Sequence, residues 1–163
     1  MKFNSILAFM IVLAVATPGG AQTRISGTVQ CGMPNPQHAI EIGDRPNHSF
    51  MLSKATCTWT KPIELAGTPA KDNIATAFDD AIGSRSQTRG FALGTMANGD
   101  KYHVRYQGSA TLKDGAVQNV EGKWNFTGGT GKLKGIKGQG TYKGTGAADG
   151  VTYTVEGEYT LTQ

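Results

Sequence analysis

The stretch FTGGTGKLKGIKGQGTY, residues 126–142, carries glycine at 128, 129, 131, 135, 138 and 140, with lysines at 132, 134 and 137. Single apolar residues, Leu133 and Ile136, stand between them. Glycine alone enters left-handed backbone without steric cost, and it lets another backbone or an aromatic ring approach closely. The stretch therefore reads as a structural corner. Two nucleotide readings fail on spacing. A phosphate loop needs glycine five residues before its Gly-Lys pair and Ser or Thr after it, and Phe126 and Leu133 occupy those places. The runs Gly129–Gly135 and Gly138–Gly144 each hold one residue too many for a dinucleotide fingerprint, and no helix-length pattern follows. No cofactor is expected from these motifs.

Outward from the corner, the chain alternates. On Lys101–Tyr106, Tyr102, Val104 and Tyr106 share one face while Lys101, His103 and Arg105 share the other. Trp124 and Phe126 pair in the same way, and Val151, Tyr153, Val155, Tyr159 and Leu161 share a face at the end of the chain. Asn98-Gly99, Asp114-Gly115 and Asp149-Gly150 are hairpin dipeptides between such segments. Strands are expected near 24–31, 49–65, 74–83, 86–96, 101–112, 117–126, 136–144 and 151–161, with Asn73–Ile82 ambiguous between strand and helix. With no helix to cover the sheet, its apolar faces must be buried by closure into a barrel or against a sister subunit. A barrel of about eight strands is either filled by side chains or holds one small ligand, and the pattern leaves both open.

Together with NGDKYHVRYQGSAT at 98–111 and VEGEYTL at 155–161, the corner resembles the allene oxide cyclase barrel-like superfamily, whose fold is shared with dirigent proteins. The resemblance covers roughly residues 75–161 and is closest to bacterial exported members. It implies an all-β, closed, eight-stranded antiparallel up-and-down barrel, often oligomeric, with an apolar lumen. No residue here matches the catalytic acids of the plant cyclases or dirigent proteins, so none is carried over.

Lys2 precedes an apolar run from Ile6 to Ala16, and Gly19-Gly20-Ala21 supplies the small residues of a cleavage site. A span would take ~20 apolar residues, so residues 1–21 read as a secretory signal cut after Ala21. Residues 22–163 then form one barrel domain in a periplasmic or secreted protein, with no later stretch able to span a membrane. Loss of Lys2 leaves 15 basic against 12 acidic residues, a net charge of +3 compared with +4 for the whole chain. That balance serves solubility and does not call for nucleic acid. Cys31 and Cys57 are the only cysteines, and in an exported chain they are most simply a disulfide. Metal ligation by the two thiolates has no CxxC spacing behind it, and no metal is expected.

Between the cysteines, His38, Glu41, Asp44 and His48 place two imidazoles and two carboxylates within eleven residues. They are the candidate catalytic or metal-binding groups, although their spacing matches no standard motif. Pro34, Pro36 and Pro46 argue for an irregular loop, where histidines usually bond to backbone. Five lysines, 123, 132, 134, 137 and 143, fall between Gly122 and Ala148 without an acid. They read as an anion-receiving rim or, more plainly, as solvated edge charges. Three functions remain: a barrel binding a small apolar or amphipathic molecule against Tyr102, Tyr106, Trp124, Tyr153 and Tyr159; a cyclase or isomerase using the same pocket; and a filled barrel acting through a homo-oligomer face.

Overall fold

A computed structural model describes residues 22–161, so the expected export signal lies outside the described residues. Ten strands follow in chain order: β1 (Thr23–Gly32), β2 (Gln37–Glu41), β3 (His48–Lys61), β4 (Glu64–Leu65), β5 (Thr68–Ile82), β6 (Arg85–Met96), β7 (Lys101–Lys113), β8 (Ala116–Gly129), β9 (Ile136–Ala147) and β10 (Gly150–Leu161). Strands β1, β10, β9, β8, β7, β6, β5 and β3 pair in that order, all antiparallel, and β3 returns to β1 to close an eight-stranded barrel. The closing seam is short, pairing Thr28–Cys31 with Lys61–Cys57. The Cys31–Cys57 disulfide sits in that seam, joining directly opposed residues.

Strands and turns obey the alternation and the small residues of the sequence. Asp114-Gly115 links β7 to β8 with φ of 52° and 78°, both positive as a type I′ hairpin requires. The last hairpin is displaced by one residue from its expected place: Gly150 already pairs with Ala147, leaving Ala148-Asp149 as the loop. The expected strand 49–65 is divided, because Pro62 cannot donate to the ladder, and the chain resumes as β4 folded onto β5. Asn73–Ile82 is strand throughout, inside β5. The segment expected to be an irregular loop contains β2, which pairs with β3 through Gln37↔Ser53 to Glu41↔Ser49. Its prolines bracket the strand instead of interrupting it, so every residue of β2 keeps its N–H.

At the corner, β8 ends at Gly129, a 3-10 turn spans Gly131–Leu133, and Gly135 at φ 78° redirects the chain into β9. Lys132 N donates to Asp100 Oδ2 at 3.0 Å, fixing the corner to the β6–β7 turn. Leu133 and Ile136 point inward and are buried, as are Leu65 and Met96. These side chains plug one end of the barrel. Higher up, glycines make room for rings: Tyr102 lies against Gly94, Tyr106 against Gly90, and Trp124 against Gly140 and Gly157. A Cβ at Gly94 would stand 1.9 Å from Tyr102 Cζ, so the ring requires glycine there.

Candidate functional site

The barrel is not filled. Above the plug lies a cavity of about 450 Å³, within the usual range for ligand pockets. Its existence follows from two unlike walls. On β3, β5 and β6 the inward positions carry Ser53, Ala55, Ala75, Ala77 and Ala92, while β7 to β10 present Tyr102, Tyr106, Trp124, Phe126, Tyr142 and Tyr153. Small side chains facing large ones leave the space that a uniformly aliphatic interior would fill. Met33, Pro34, Gln37, Ala116, Ala147 and Ala148 also line the cavity; they belong to the loops and strand ends opposite the plug, and so form its mouth.

Polar groups are few and placed on the walls. Trp59 Nε1 donates to Tyr102 Oη at 3.1 Å, Tyr106 Oη donates to Thr76 O at 3.1 Å, and Trp124 Nε1 donates to Thr141 O at 3.2 Å. Among the described residues, three buried side-chain atoms have no hydrogen-bond partner within the protein: Asn73 Oδ1, Ser86 Oγ and Tyr142 Oη. All three residues line this cavity. Asp79 lines it too, and burial pushes its carboxyl above the ordinary value of 3.8. The neighbouring hydroxyls of Thr88 and Ser86 act in the opposite direction but less strongly, and Ser86 Oγ does not reach hydrogen-bonding geometry. Burial raises the phenols of Tyr102, Tyr106 and Tyr142, and it pushes Tyr153 up to about 12; the Asp79 charge adds to the effect on the last three.

Of the aromatic candidates, Tyr102, Tyr106, Trp124 and Tyr153 line the cavity. Tyr159 does not: it is buried at the plugged end, where its hydroxyl accepts from Ala66 N at 3.0 Å. Tyr142, Asp79, Asn73 and Ser86 were not singled out by sequence. The usable signal was the run Asn73-Ile-Ala-Thr-Ala-Phe-Asp79, whose alternate members 73, 75, 77 and 79 are the ones that face inward.

His38, Glu41, Asp44 and His48 do not line the cavity, although Pro34 and Gln37 of the same segment do. His38 and Glu41 are exposed on β2, with His38 opposite Leu52. His48 Nδ1 meets Asp44 Oδ1, and His48 Nε2 lies 3.0 Å from Asp80 Oδ1. The hydrogen bond to Asp44, aided by Asp80, raises the His48 pKa above 6.5, while His48 and Arg45 hold Asp44 below its usual value. His48 is 8% exposed, covered by its immediate neighbours, yet it sits on the outer surface with little protein beyond that shell, so solvent still screens the pair. Among the described residues no group of three or more His, Cys, Asp or Glu is placed to hold a metal ion. The five lysines are all exposed and none lines the cavity. Outside the barrel, β2, β3, β5 and β6 expose Ile40, Phe50, Leu52, Ile74, Phe91 and Leu93.

The architecture is that of known barrels. The pterocarpan synthase dirigent protein aligns with a TM-score of 0.52 and 10% identity, over 97% of this chain and 100% of its own. A conserved protein of unknown function from Rhodopseudomonas palustris aligns at 0.47 and 8% identity, over 89% of this chain and 100% of its own. A pyocyanin demethylase aligns at 0.44 and 14% identity, over 81% and 98%. No family model and no curated protein matches the sequence. The chain shares the barrel fold of the dirigent protein.

Proposed function

We propose that this protein is exported and binds a small apolar or amphipathic molecule in its lumen. The observation that carries this reading is the coincidence of three buried, unpartnered polar atoms on Asn73, Ser86 and Tyr142 with the walls of one apolar cavity. Polar atoms that no protein group engages on an otherwise apolar wall are available to hydrogen-bond a ligand carrying matching polar groups. The alanine wall and the tyrosine rings supply the apolar contact area. Export is supported by the signal-like residues 1–21 and by the disulfide.

The test is a titration with 1-naphthylmethanol, followed through the fluorescence of Trp59 and Trp124, both of which line the cavity. Saturable one-to-one quenching, lost on competition with lipophilic compounds extracted from the purified protein, is the expected result. Absence of saturable binding would reject the lumen as a ligand site.

A further inference from the structure

Among the described residues, Asp79 is the one acidic side chain lining the cavity, and no Lys, Arg or His lines it. A carboxylate taken out of water without a counter-charge is unfavourable, and burial indeed raises its pKa. Every other polar atom left open in the cavity can accept a hydrogen bond: Asn73 Oδ1 only accepts, and Ser86 Oγ and Tyr142 Oη accept as well as donate. Hydroxyl donors and acceptors are both present, but among the described residues the site lacks positive charge. A ligand anion would meet Asp79 with no cation to offset it. A neutral apolar molecule would leave Asp79 as it stands.

The positions add a direction. Asp79 lies three residues from the mouth end of β5 at Ile82, and Asn73 lies six residues deeper, so at 3.3–3.4 Å per residue they stand ~10 Å and ~30 Å below that strand end. Between them Ala75 and Ala77 offer a smooth apolar surface opposite the tyrosine faces. Aromatic faces also attract cations, best when water is excluded.

Resting on the lumen-binding reading above, we infer that the ligand is an apolar or aromatic amine whose protonated nitrogen is received by the Asp79 carboxylate, with its apolar body directed inward between the alanine wall and the tyrosines. The ammonium makes charge-assisted hydrogen bonds, which are roughly twice as strong as neutral ones, and it supplies the missing counter-charge.

Three probes of one shape separate the possibilities: 1-naphthylmethylamine, 1-naphthylmethanol and 1-naphthoic acid, titrated by calorimetry at pH 7 into the full-length mature protein. The amine should bind at least about tenfold more tightly than the alcohol, with the acid weakest. Asp79→Asn should abolish the amine's advantage over the alcohol. A second readout needs no variant: the wild-type preference for amine should shrink as pH falls and the carboxylate is protonated, with Ser86, Thr88, Tyr106, Tyr142 and Tyr153 the neutral groups facing or flanking it. Equal binding of amine and alcohol, or an amine preference that survives both Asp79→Asn and acidification, would overturn this inference and leave lumen binding standing. Failure of all three probes to bind would overturn lumen binding itself, and this inference with it.

Discussion

Ala75→Leu should stabilise the protein and close its binding site at once. Ala75 sits in a row of alanines, opposite Ala55 on β3 and Ala92 on β6, and all three face the cavity. Leucine adds three carbons at this place. At about 0.8 kcal/mol per buried methylene the gain is ~2.4 kcal/mol, an upper figure because the unfolded chain already shelters part of that surface. Overpacking a tight core would cost about 1–3 kcal/mol instead, so the sign of the change reports whether the space is real. The rings nearest along β6 lie over Gly90 and Gly94, two residues either side of Ala92, which leaves the alanine row clear. Thermal unfolding should therefore rise by roughly 5 °C, and 1-naphthylmethanol affinity should fall at least about tenfold. A lowered melting temperature with unchanged probe binding would refute the two-wall account of the cavity.

Further expectations follow from individual residues. Removing the disulfide with Cys31→Ser and Cys57→Ser frees a 26-residue separation across the short β1–β3 seam, and the chain-entropy relation gives a loss of ~3.5 kcal/mol, readable by denaturant unfolding. Gly140→Ala would place a Cβ 2.0 Å from Glu156 O and 2.7 Å from Trp124 Cζ2, so it should destabilise by more than ~1 kcal/mol, with a change in tryptophan emission. The His48 pKa is raised in the fold, so its contribution is fully present below pH 6.5 and is lost as pH rises through the raised value; His48→Ala should flatten that part of the stability-pH curve. The Asp79 pKa is also raised, so the ionised carboxyl weakens the fold as pH rises above 3.8, and Asp79→Asn should melt higher than wild type at neutral pH.

The barrel was legible because its strands carry strong period-two patterns and its turns carry small residues at the required positions. Tyr102, Val104 and Tyr106 face inward as their spacing requires, and the glycine corner accommodates both a turn and the Trp124 ring at Gly140. The alanine wall was hidden, since alanine at 75 and 77 suits a helix as well as a strand, and only pairing with β3 and β6 decides which faces inward. Asp79 and Asp80 show the same limit: adjacent in sequence, they take opposite faces, one into the cavity and the other to His48. Tyr142 was masked by the glycines around it, whose strand character appears only when the neighbouring rings cover them. The histidine segment drew attention through residue type, yet its position outside the barrel depends on β2 joining the edge of β3, a long-range pairing that local chemistry does not encode.

The central claim, that the lumen and not the surface receives the ligand, is tested most directly by nuclear Overhauser contacts from bound 1-naphthylmethanol to assigned side chains. The account predicts contacts to the methyl groups of Ala75 and Ala92 and to the rings of Tyr106 and Tyr153. Contacts confined to Phe50, Leu52 and Phe91 on the exposed outer face would contradict it.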